Sequence, residues 1–226
     1  MPVNFIEYAP CEGLFYEAEK MLKEEILEQY QALIFDMDGT LIDTMSSHAL
    51  AWEKAGKVFG YDVKGDVMYQ LGGATSFTIA KAIMEQYQVP EHYLEQFVQI
   101  KREIATQMIL ENSTLLPAFD IVKNQFGKKP MALGTGSHRK LVELLFNRFQ
   151  LTPYFQVVVD SEDVTKHKPD PETFLRCAEK LGVKPEHCLV FEDADLGVQA
   201  ALAGGMDVFD VRTLKITKAG KYFDQK

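Results

Sequence analysis

Apolar and polar positions along this chain follow two different periods, and the switches between them mark out its elements. From about Glu12 to Tyr30, Leu14, Phe15, Ala18, Met21, Leu22, Ile26 and Leu27 recur at helical spacing among Glu and Lys, which predicts an amphipathic helix packed outside a core. The unbroken apolar run Ala32-Leu33-Ile34-Phe35 reads as a short buried strand, and Gly39 as the turn after it. From Ser46 to about Ser113 the period is helical, with helices predicted over Ser47–Phe59, Ser76–Tyr87 and Glu91–Leu110 and breaks at Gly60, Gly72-Gly73 and Pro90. Beyond Pro117 short apolar runs and helices alternate. Strands are predicted at Pro130–Thr135, Gln156–Asp160, His187–Phe191 and Asp207–Val211, with helices at Arg139–Phe149, Pro171–Leu181 and Leu196–Ala203.

Strand alternating with helix implies an α/β fold, with crossover connections and a parallel sheet in three layers. The helical block falls between the first and second strands, so it should form a separate lid over that sheet. Ligands of such sheets bind just beyond the carboxyl ends of the strands, which singles out the polar residues there. Asp36 and Asp38 follow the first strand, Thr135-Gly136-Ser137 ends the second, and Glu192-Asp193 ends the fourth. Lys168 lies in the loop after the third.

Each of these residue types has a task in phosphoryl transfer. Side chains two apart on an extended chain point the same way, so Asp36 and Asp38 would sit side by side. Two such carboxylates cannot both ionise cheaply unless a cation lies between them or one keeps its proton. A carboxylate nucleophile can take a phosphoryl group as an acyl phosphate. Mg2+ favours hard oxygen ligands, including one or two carboxylates, and would neutralise a phosphate and hold it in line. Thr135 and the backbone N–H groups of Gly136 and Ser137 could bond phosphoryl oxygens at a helix start. Lys168 supplies a compact positive charge. Taken singly, a Gly-Thr-Gly-Ser turn, a Lys before Pro or an acid-rich helix start says little. Their common placement at one sheet edge is what carries the reading.

Composition narrows the partners. The 226-residue chain is 46% hydrophobic and 25% charged, ordinary for a soluble globular protein, and its formal charge of -9 argues against nucleic acid. No run is long enough for a membrane span, and no secretory signal is read. Cys11, Cys177 and Cys188 are scattered and odd in number, so neither disulfides nor a zinc site is expected, and the cytoplasm is the expected location.

The segment Asp36-Met37-Asp38-Gly39-Thr40-Leu41-Ile42-Asp43-Thr44, with Thr135, Lys168 and Glu192-Asp193, resembles the four motifs of the haloacid dehalogenase-like hydrolases over roughly Ala32 to Val211. The branch it resembles contains β-phosphoglucomutase and fructose-1-phosphate phosphatase-like enzymes. That resemblance implies a Rossmann-like core (32–45 and 114–226) with an inserted helical cap (46–113), behind an N-terminal helical extension (1–31). It also implies that Asp36 attacks phosphorus and that Asp38 gives a proton to the leaving oxygen and later takes one from water. Mg2+ would be held by the Asp36 carboxylate, the Asp38 carbonyl, Glu192 and Asp193. Thr135 and Lys168 would grip the transferring group, which requires Asp36 anionic and Asp38 protonated.

A dehalogenase has no alkoxide to protonate, so Asp38 favours phosphate esters. A phosphorylated receiver domain would place its acidic pair before the phosphorylated Asp and would carry no helical insertion. Thr44, His48 and Lys101 match substrate-side positions of the mutase branch, although His48 reads equally well as a helix-start residue at the hinge. Where the mutase-like cap loop carries a phosphate-gripping arginine, this chain has Ser76, which favours hydrolysis over the mutase alternative. The expected partner is a small phosphorylated metabolite, and the expected state a monomer or weak homodimer.

Overall fold

The computed structural model describes residue 22 and residues 24–220. The helix predicted over Glu12–Tyr30 lies mostly outside them, and its described part is the four-residue α1, Glu24–Leu27. The core strands are β1 (Ala32–Phe35), β2 (Met131–Gly134), β3 (Val157–Val159), β4 (Cys188–Glu192), β5 (Asp207–Asp210) and β6 (Lys215–Thr217). They form one sheet in the order β3-β2-β1-β4-β5-β6. The first five are parallel, as the strand–helix alternation implies. The sixth corrects the all-parallel expectation: β6 runs antiparallel to β5, and such a partner needs only a short turn between strands.

The strands are short apolar runs because both faces are covered. On β1, Leu33 and Phe35 enter one hydrophobic cluster and Ala32 and Ile34 the other. β2 and β4 alternate in the same way, with Met131, Leu133, Leu189 and Phe191 on the first face and Ala132, Cys188 and Val190 on the second. Helices α6 (Ala118–Gln125) and α7 (Arg139–Phe149) pack on the first face, and α8 (Glu172–Leu181) and α9 (Asp195–Ala203) on the second. Phe35 and Phe191, paired across β1 and β4, stack with centroids 4.4 Å apart.

Between β1 and β2 stand α2 (Met45–Val58), α3 (Val67–Gln70), α4 (Ser76–Tyr87), a 3-10 turn (Glu91–Tyr93) and α5 (Leu94–Asn112). They enclose a hydrophobic cluster of their own that includes Trp52, Met68, Ile79, Ile83 and Phe97. Two connectors join this insertion to the sheet and are hydrogen-bonded to each other. Asp43 N–H donates to the Thr114 carbonyl (2.9 Å) and Leu116 N–H to the Leu41 carbonyl (2.8 Å). Among the described residues no helix is long and apolar enough to cross a membrane.

Candidate active site

Strand register sets the site. Phe35 pairs with Leu133 and with Phe191, and Gly134 with Val159, so Asp36, Thr135 and Glu192 leave the sheet at one edge. The ladder continues one residue further: Asp36 N–H donates to the Phe191 carbonyl and Thr135 N–H to that of Val159, each at 3.0 Å. After Asp38 the chain turns at Gly39, whose φ of +87° suits glycine. A Cβ there would stand 2.2 Å from Asp193 Oδ2, so this glycine also lets the β4 loop approach the β1 loop.

Lys168 reaches into this edge from its loop. Its Nζ donates to Asp36 Oδ1 (2.6 Å), Glu192 Oε1 (2.8 Å) and the Gly134 carbonyl (3.2 Å), and all three side chains are buried. Burial works against the ammonium, but the two carboxylates outweigh it and hold Lys168 firmly protonated. Glu192 Oε2 accepts the Ala194 N–H at 2.7 Å. Both Glu192 oxygens thus meet protein donors, and in this arrangement Glu192 is a counter-ion of Lys168.

Asp38 is held by donors on both of its oxygens. Its Oδ1 accepts from Thr44 Oγ1 (2.7 Å) and faces His48 Nε2 (3.3 Å), while Oδ2 accepts from Ser137 Oγ (2.7 Å) and Thr135 Oγ1 (3.4 Å). Burial alone would raise its pKa, yet the donors on His48, Ser137 and Thr44 overcome that and hold Asp38 well below the usual carboxylate range. Thr44 and His48 from the start of α2 and Ser137 from the turn after β2 converge on this carboxylate, and together they favour its ionised form in this arrangement. Lys101 Nζ lies 2.8 Å from His48 Nδ1. Burial, then the Lys101 charge, lowers the His48 pKa, which fits a neutral ring accepting at Nδ1 and donating from Nε2 to Asp38. Burial also pulls Lys101 down to about 7, against the attraction of Asp38.

Asp36 and Asp193 carry the opposite shift. Burial and the nearby Glu192, Asp193 and Asp38 charges push Asp36 well up despite Lys168. Burial and Glu192 push Asp193 to about 7, although Thr40 Oγ1 donates to its Oδ1 at 2.9 Å. Asp36, Glu192 and Asp193 thus set three carboxylates against one ammonium. Crowded, oxygen-rich and short of positive charge, this corner has the donor chemistry of a hard divalent cation's site, while among the described residues no three metal-binding side chains are gathered into a ready-made set.

The pocket over this corner measures about 50 Å3 and is walled by Asp36, Asp38, Thr135, Gly136 and Ser137 from the sheet. The insertion supplies His48, Lys101, Trp52, Ser76 and the Gly72-Gly73 loop. Every expected site residue except Thr44, Lys168, Glu192 and Asp193 lines this cavity, and those four bond to residues that do or to their neighbours. Trp52 and Thr40 were not expected. Trp52 stands four residues after His48 on α2, a spacing that shares one helix face. Thr40, next to Gly39, fixes Asp193.

Comparison with known proteins gives concordant matches. Residues 33–211 match the haloacid dehalogenase-like hydrolases. The chain is 44% identical over 189 residues to the fructose-1-phosphate phosphatase YqaB of Escherichia coli, covering 83% of this chain and 99% of that one. It is 31% identical over 180 residues to a phosphorylated carbohydrates phosphatase of Thermotoga maritima, covering 78% of this chain and 82% of that one. A crystal structure of a β-phosphoglucomutase from Clostridium difficile superposes with a TM-score of 0.70 at 25% identity, over 80% of this chain and 84% of that one.

Proposed function

This chain belongs to the haloacid dehalogenase-like hydrolases, and from that premise we propose that it is a Mg2+-dependent phosphatase of small sugar phosphates, working through an aspartyl phosphate on Asp36. The observation that carries the reading is the buried knot of Asp36, Lys168 and Glu192 beside Asp38, all at one sheet edge under one pocket. The resemblance to sugar-phosphate phosphatases, at 44% and 31% identity, supports the substrate class.

Asp36 attacks phosphorus through a carboxylate oxygen, and the ester P–O bond breaks as the new P–O bond forms. The Thr135–Ser137 turn holds the phosphoryl oxygens while Lys168, bonded to Asp36, keeps positive charge beside them, and Mg2+ bound at this corner would neutralise their charge. The leaving alkoxide takes a proton from Asp38. A water then attacks the acyl phosphate, gives its proton to the Asp38 carboxylate, and frees phosphate and Asp36. Asp38 must carry a proton in the first half and accept one in the second; its donors in the closed arrangement favour the ionised form, which suits the second.

A 50 Å3 cavity has room for a few water molecules and not for a hexose phosphate. The insertion therefore acts as a cap, opening on its two connectors to admit substrate and closing to exclude bulk water. The boundaries proposed for it are 46–113, with the core at 32–45 and 114–226. The proposed location is the cytoplasm, in keeping with the free thiols of Cys177 and Cys188, and the proposed state is a monomer or weak homodimer.

Phosphate release from a panel of sugar phosphates, with and without Mg2+, tests the reading. β-Glucose 1-phosphate with catalytic bisphosphate should yield free phosphate; glucose 6-phosphate instead would establish the mutase alternative. Failure to hydrolyse any phosphate monoester would refute the function altogether.

A further inference from the structure

Trp52 is fully buried, forms part of the pocket wall, and its indole Nε1–H has no hydrogen-bond partner among the described residues. Buried indole N–H groups ordinarily find an acceptor, because leaving one unpaired forfeits the hydrogen bond it made with water. The packing of the ring is otherwise complete. Its centroid lies 5.3 Å from that of Phe97, and Lys101 Nζ stands 4.8 Å from it. Lys101 uses one donor on His48 Nδ1.

Resting on the phosphatase reading, we propose that Trp52 is a specificity-determining residue whose indole N–H donates to an oxygen of the substrate's leaving group. The insertion's end of the pocket is lined by Trp52, whose indole N–H is unpartnered, and by Lys101, framed by the apolar side chains of Met45, Met68 and Ile79. A ligand that matches this wall presents lone-pair-bearing oxygens beside C–H surface. Hydroxyl and ring oxygens of a polyol meet that requirement, and an unsubstituted aryl or alkyl group does not. The sheet side grips the phosphoryl group common to all monoesters, so selection among esters falls to this wall. A site built around a buried donor discriminates strongly against ligands that leave it unpaired.

Trp52 is the only tryptophan of the chain, so 15N-labelled protein gives a single indole cross-peak. In the Asp36→Asn variant, held with Mg2+, a sugar phosphate that the native enzyme hydrolyses should move that peak downfield in the proton dimension. Inorganic phosphate should leave it in place. In parallel, Trp52→Phe, which keeps an aromatic ring against Phe97, should raise KM for the sugar phosphate about threefold to tenfold more than KM for p-nitrophenyl phosphate. A peak that stays fixed with a proven sugar phosphate, or equal effects of Trp52→Phe on both esters, overturns the proposal and leaves the phosphatase reading standing. Hydrolysis of p-nitrophenyl phosphate with refusal of every sugar phosphate would sink the proposal and the assigned substrate class together. No hydrolysis of either ester would instead defeat the phosphatase reading itself.

Discussion

Replacing Gly136 with alanine inserts a methyl group into the seam between the sheet and the helical insertion. A Cβ there would lie 2.7 Å from the Gly73 carbonyl oxygen and 3.4 Å from that of Ala74. Ordinary contact begins at 3.4 Å, so the seam must part by 3.4 − 2.7 = 0.7 Å. The Gly73 loop cannot absorb this easily. Its φ is +82°, and its other side rests on Lys168, whose Cδ lies 3.3 Å from where a Cβ of Gly73 would be. The insertion must therefore shift as a body and carry His48, Trp52 and Lys101 away from Asp38. Misplacement by about 1 Å costs on the order of 100-fold in rate, so kcat/KM should fall by about 10- to 100-fold. Gly136 does not need a positive φ, so the fold should keep its stability to within about 1 kcal/mol. Steady-state kinetics with excess Mg2+, paired with urea unfolding, measures both. Native kcat/KM at native stability would refute the claim that the closed seam is the working arrangement.

Four further outcomes are expected. Asp36→Asn should abolish turnover while the circular dichroism spectrum stays native; a fully active variant removes Asp36 as nucleophile. Asp38→Asn should slow esters with poor leaving groups far more than p-nitrophenyl phosphate, as a series of leaving-group pKa values will test. Lys168→Met leaves the Asp36 and Glu192 carboxylates buried without their cation and should cost about 3–5 kcal/mol in urea unfolding with chelator present; an unchanged midpoint contradicts the pairing. Asp193, at about 7 when folded against 3.8 ordinarily, holds a proton in the fold that the unfolded chain releases. Its contribution to stability is complete below about pH 3.8 and is lost as pH rises through 7. Chelated protein should therefore lose thermal stability between pH 5.5 and 8, Asp193→Asn should flatten that slope, and Mg2+ should reverse it; equal slopes in the two proteins would contradict the shift.

Five strands were legible because each carries consecutive apolar residues, fully buried in β1, β2 and β4 and partly so in β3 and β5. β6 escaped notice because Lys215-Ile216-Thr217 is three residues long with exposed ends, so its sequence has no core to report. The helix Ala118–Gln125 and the four-residue α3 are similarly brief, and a short period carries little signal. Within the site, the residues at strand ends were legible because parallel register places them together. What could not be read was direction. Glu192 turns to Lys168, and Asp38 gathers donors from Thr44 and His48 at the start of α2 and from Ser137 after β2, two segments whose convergence depends on how the insertion sits. Trp52 left one trace, its four-residue offset from His48.

The paired connectors at 41–43 and 114–116 have an evolutionary consequence. Because the chain leaves and re-enters the sheet one hydrogen bond apart, the helical block between them is a cassette: it could be exchanged without re-threading a single strand. Having an apolar interior of its own, such a block can diversify while the phosphoryl chemistry beneath stays constant. Transplanting the 46–113 block from a relative of different substrate preference is thus the natural way to rewrite selectivity in this scaffold.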